Sequence, residues 1–92
     1  MGLGLLLKTE NDGFTYVKET IQGFAASLQG TTMPNDCIIA VDGRSVEGWD
    51  LDAIKQLTFG EEGQPCQLTL RRGNETFTVN LVRIVPSQSQ LD

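Results

Sequence analysis

"GFAASLQGTTMPNDCIIAVDGRSV", residues 23–46, carries the pattern on which the fold turns. Within it, Cys37-Ile38-Ile39-Ala40-Val41 is a short apolar run between two turn signals, Pro34-Asn35-Asp36 and Asp42-Gly43. A run of that length and boundary predicts a buried strand. Upstream of it, Gly23 breaks the chain. Phe24-Ala25-Ala26-Ser27-Leu28 then predicts one or two helical turns, which Gly30 stops.

Toward the N-terminus, Leu3 to Thr9 reads as a strand that is apolar on both faces at its start. Asn11-Asp12-Gly13 is turn chemistry, because Asn and Asp tolerate left-handed backbone and Gly adopts it freely. Phe14 to Lys18 is rich in β-branched and aromatic residues and predicts the returning strand of a hairpin. Toward the C-terminus, residues 50 to 58 predict the longer helix, with Asp50 as N-cap or first-turn acid and Gly60 as the stop. Cys66 to Arg71 and Phe77 to Val82 alternate apolar and polar residues around Gly73-Asn74, which predicts a second hairpin. The class is therefore α+β: one domain over residues 1–85, mainly antiparallel, with five to six strands, one short helix and one longer helix. The polar stretch 86–92 is expected to be a loose tail.

Composition narrows the function. The chain has 92 residues, 39% of them hydrophobic and 21% charged, which suits a small globular domain. The net charge of −5 argues against nucleic acid, whose phosphates need a basic face. No apolar run approaches the roughly 20 residues of a membrane span. There is no histidine, which removes His-based triads and His metal sites, and no cofactor or metal is expected. Cys37 and Cys66 sit in apolar, strand-like runs and are expected to be free buried thiols in a reduced, cytoplasmic setting. That setting becomes membrane-proximal if the domain belongs to a scaffold.

The order of these segments resembles the PDZ domain family. Gly2-Leu3-Gly4-Leu5 is similar to that family's carboxylate-binding loop. Residues 23 to 46 resemble its Gly-x-Ala, Gly-Asp-x-Ile and Val-(Asn/Asp)-Gly segments in sequence. "LDAIKQLTFGEEGQPCQLTLRRG", residues 51 to 73, resembles its groove helix and following strand. "RRGNETFTVNLVR", residues 71 to 83, is most similar to PDZ domains of C-terminal-processing proteases and other bacterial-type members. The chain departs from the pattern at Asn35, where glycine is usual, and at Phe24, where proline is common. The family's strand before this loop is not seen ahead of Gly2, and its role is expected to fall to an upstream segment or to the last strand, Phe77 to Val82.

The resemblance implies a small β-sandwich or partly open barrel that captures the C-terminus, or an extended internal segment, of a partner by adding it as a strand. It implies a carboxylate loop at Gly2, Leu3, Gly4 and Leu5, with the amides of Leu3, Gly4 and Leu5 aimed at the ligand's anionic end. The local alternative for Gly2-Leu3-Gly4 is a frayed terminus. The expected peptide-binding set is Leu3, Gly4, Leu5, Leu6, Leu7 and Lys8 from the strand, with Asp50, Ile54 and Leu57 from the helix. Leu3, Leu5 and Leu7 share one strand face, and Asp50, Ile54 and Leu57 share one helix face at i, i+4 and i+7. Core packing is the other reading of these apolar residues. Leu6 points to the opposite face, as core or under a further strand. A one-residue slip would put Leu51 in the place of Asp50. Arg71, Arg72 and Lys55 are expected on a solvated face.

Three functions compete on this reading. The first is a non-catalytic binding module of a scaffold or regulatory protein, with C-terminal peptides as partners. Its variant is a substrate-recognition fragment of a serine protease. The second is a hydrolase using Ser27 or Ser45 with Lys18 or Lys55, for which no spaced nucleophile–base pair is evident. The third is self-association through the edge strand or the tail.

Overall fold

The computed structural model describes residues 2–84; the expected tail, 86–92, lies outside the described residues. Eight elements follow in order: β1 (Leu5–Thr9), β2 (Thr15–Thr20), α1 (Ala25–Gln29), β3 (Cys37–Val41), β4 (Arg44–Ser45), α2 (Leu51–Thr58), β5 (Pro65–Arg72) and β6 (Glu75–Val82). The strands form one antiparallel six-stranded sheet in the order β1-β2-β3-β5-β6, with β4 paired to β3. The sheet does not close into a barrel, so β1 and β6 are its two edges. α2 packs beside β1 and α1 beside β6.

The alternating strands place Val17, Ile38, Val41, Leu68, Leu70, Val79 and Leu81 on the inner face, where each is almost wholly buried. Ala25, Ala26, Val46 and Ile54 complete the core from the helices and the β4 region. Burying the Val, Leu and Ile side chains among these stabilises the fold by about 1.5–3 kcal/mol each. Cys37 and Cys66 are free and buried, and burial pushes both thiols above their ordinary pKa.

Three local expectations change. The first strand starts at Leu5 rather than Leu3, because Gly4 takes φ +77° and redirects the chain. Leu3 is thereby driven into the core. Gly60 is not the helix stop: Phe59, in extended backbone, already caps α2 by donating its N–H to the Lys55 carbonyl at 3.1 Å. Arg72 does not stand on a solvated face alone. Its guanidinium grips both oxygens of buried Asp36 at 2.8 Å each and donates to the Thr31 carbonyl at 2.8 Å. Asn35 adopts φ +74°, which explains how it substitutes for a glycine.

The β1–β2 turn is tied by Asp12, whose carboxylate accepts from the Tyr16 hydroxyl and from the Phe14 N–H. These bonds, the Tyr16 one first, hold the Asp12 carboxyl below its ordinary value of 3.8. A depressed carboxyl stabilises the fold above its unfolded pKa, and that contribution fades as pH falls through the folded value. Tyr16→Phe is expected to move the Asp12 titration back toward 3.8, read by NMR of the side-chain carboxyl.

Candidate functional site

The edge position of β1 is the starting point. The Ile21 N–H donates to the Gly4 carbonyl at 2.7 Å, which makes the adjacent Leu5–Thr20 pair the non-hydrogen-bonded kind. The N–H and C=O of Leu5 therefore face away from β2. Counting back from the bonded pair at the other end, Glu10 N–H to Phe14 carbonyl at 3.0 Å, gives the same orientation for Leu7. A bulge at Lys18 in β2 absorbs the register shift between Leu6 and Leu7 without disturbing this alternation. β1 thus presents unpaired backbone groups toward the side where α2 lies.

The loop before β1 is held from behind. The Leu3 carbonyl accepts from the Ala26 N–H at 3.0 Å, supplying an acceptor to the first turn of α1, which has no side-chain cap. The Gly4 carbonyl is taken by Ile21. In a planar trans peptide the N–H opposes the C=O. With both carbonyls pinned to the body, the N–H groups of Gly4 and Leu5 are turned outward. No backbone carbonyl among the described residues accepts from the Leu3 or Gly4 amide.

Between loop and helix lies a cavity of about 280 Å³. Gly2, Leu3, Gly4, Leu5 and Leu7 line it from the strand side and Lys55, Thr58 and Phe59 from the helix side, with Ile21 and Phe24 completing the lining. The walls are mostly apolar, and Lys55 is the one charged side chain lining them among the described residues.

The structure therefore brings Gly2, Leu3, Gly4, Leu5 and Leu7 together at the cavity and leaves the expected helix face out of it. Ile54 is completely buried in the core, and Leu57 packs half-buried against the core. Asp50 is the N-cap, accepting from the Ala53 N–H at 2.8 Å. The physical reason is competition for the most apolar face of α2: the core takes Ile54, so the helix lines the cleft with Lys55 and Thr58 instead. Leu6 is neither core nor covered; it is 40% exposed on the opposite face of β1. Lys8 pairs with Glu10 at 3.2 Å and Asn35 at 3.0 Å, away from the cavity. Ile21, Phe24, Lys55, Thr58 and Phe59 were missed by the sequence reading. The helical residues were legible in principle, since the strongest apolar positions of an amphipathic helix belong to the core. Among the described residues no group of three or more His, Cys, Asp or Glu converges on a metal-sized site.

An open strand edge facing a helix across a mostly apolar cleft, with outward amides in the loop before the strand, is an arrangement that can accept an extended chain as an added strand. The chain belongs to the PDZ domain family, whose model matches residues 1–71. It is 31% identical over 83 residues to a probable CtpA-like serine protease of Staphylococcus aureus (strain COL), covering 90% of this chain and 16% of that protein. A probable CtpA-like serine protease of Staphylococcus haemolyticus is 38% identical over 50 residues, 54% of this chain and 10% of that protein. The chain thus spans less than a fifth of the length of these relatives. Among solved structures, it is similar to the PDZ domain of a carboxy-terminal protease from Vibrio cholerae in complex with peptide. That likeness has TM-score 0.80 and 29% identity, covering 89% of this chain and 91% of that one. It is also similar to a photosystem II D1 C-terminal processing protease, with TM-score 0.83 and 26% identity, covering 94% of this chain and 23% of that one.

Proposed function

We propose that this chain captures the C-terminus, or an extended internal segment, of a partner protein as an added strand between β1 and α2. We further propose that it does so as the substrate-recognition or regulatory domain of a serine protease, binding without cutting. The observation that carries the first proposal is the orientation of the Gly4 and Leu5 amides: both carbonyls behind them are committed to the body, which leaves the donors to the cleft. Backbone bonds along Leu5 and Leu7 would supply sequence-independent affinity, and the cavity would take the last side chain. The similarity to CtpA-like proteases supports a protease rather than a scaffold as the parent.

Fluorescein-labelled octapeptides ending in Ala, Val, Leu or Phe test this, each made as free acid and as amide. Anisotropy titration is expected to show that the best acid binds about tenfold or more tightly than its amide, because the amide removes the charge that the outward N–H groups favour. Equal affinity for acid and amide would contradict carboxylate capture, and no binding by any peptide would contradict the whole reading.

A further inference from the structure

The cavity sets an electrostatic problem that the backbone amides answer only on one side. Its far wall is the last turn of α2, and the C-terminal end of a helix carries partial negative charge. An anionic chain end placed there is repelled by that wall and by the chain's net charge of −5. Two cations stand at this helix end. Arg83 is buried behind it and donates twice to the Thr58 carbonyl, at 3.0 and 2.7 Å. Lys55 is on the cleft side, exposed, and lines the cavity opposite the Gly2–Leu5 loop. The ion pairs among the described residues are Lys8–Glu10 and Arg72–Asp36, so the Lys55 ammonium is uncommitted.

We infer that Lys55 is a specificity-determining contact: its ammonium pairs with the ligand's terminal carboxylate from the helix side, so that the cleft selects true chain ends over internal segments. The inference rests on the reading of the cleft as a peptide site. A lysine suits the task because its long stem lies along apolar wall while its head reaches charge. Thr58 and Phe59 offer no competing anion. The Thr58 hydroxyl donates inward to the Lys55 carbonyl at 3.0 Å, which also ties the stem's own residue to the helix end.

The test compares the 92-residue chain with its Lys55→Gln and Lys55→Arg variants, using the tightest acid and amide pair of the octapeptide series. Lys55→Gln is expected to weaken the acid by about three- to tenfold and to leave the amide unchanged. Lys55→Arg is expected to retain most of the acid affinity. Raising salt from about 0.05 M to about 0.5 M is expected to shrink the advantage of wild type over Lys55→Gln. An equal loss for acid and amide, or no loss for either, overturns the role of Lys55 while leaving the cleft as the peptide site. If wild type binds neither member of any pair, the peptide reading itself fails and the inference falls with it.

Discussion

Gly4→Ala is expected to cost about 3 kcal/mol or more and to lower the Tm by about 10–20 °C. Two effects add. Position 4 sits at φ +77°, where an L side chain carries about 1–2 kcal/mol of strain. A Cβ there would also lie 2.2 Å from the Phe24 Cβ, well inside contact distance. The overlapping partner is a Cβ rather than the end of a flexible side chain, so Phe24 cannot swing aside. Shortening it in a Gly4→Ala/Phe24→Ala double variant is expected to restore almost nothing. Relief could come only from moving the loop, which would break the bonds from Ala26 to Leu3 and from Ile21 to Gly4. Gly2→Ala serves as the control, since no atom lies within 4 Å of a Cβ at position 2; thermal melting is expected to place it within a few degrees of wild type. A Gly4→Ala protein as stable as wild type would mean that the loop is not held as described.

Arg83→Met is the second large effect, expected to destabilise by about 2–4 kcal/mol in urea denaturation. Arg83 is 4% exposed. Besides its two bonds to Thr58, its Nη1 reaches the carbonyls of Gln64 and Pro65, both at 3.3 Å. The side chain thus stitches the end of α2 to the start of β5, and its charge opposes the negative end of the helix. Methionine keeps the stem's bulk and removes every side-chain donor, leaving the buried Thr58 carbonyl unpaired, while the Gln64 carbonyl keeps the Arg83 backbone N–H at 3.1 Å. Arg83→Lys keeps the charge and loses the planar fork, so it is expected to recover only part of the loss. Hydrogen exchange at the Phe59 amide, whose acceptor is the Lys55 carbonyl of that last turn, is expected to accelerate in Arg83→Met. Gly60 belongs to the same arrangement: a Cβ there would come within 2.6 Å of the Arg83 Cζ.

The strands and helices were largely legible because each is bounded by local turn chemistry, and Cys37–Val41 came out with its boundaries intact. β4 was not, since a two-residue bridge at Arg44–Ser45 has no periodicity of its own. The strand side of the cleft was legible for the same reason the hairpin was: alternation decides which way Leu5 and Leu7 point. The helix side asks for one step more: i, i+4, i+7 spacing names a face, and the choice between core and cleft turns on which face is the most apolar. Ile54 shows the core winning. The tie of Arg83 to Thr58 spans 25 residues, and no local pattern announces a contact of that kind.

In the proposed binding mode, ligand enters along the β1 edge and ends at the Gly2–Leu5 loop. The sheet has a second free edge at β6, on the side of α1, which offers a built-in comparison. Backbone amide NMR during titration with the tightest free-acid octapeptide measures the difference directly. The largest shifts are expected at Leu3, Gly4 and Leu5, smaller ones along Leu7 and at Lys55 to Phe59, and almost none along Glu75–Val82. Shifts concentrated on β6, with the Leu3 to Leu7 amides unmoved, would contradict that binding mode.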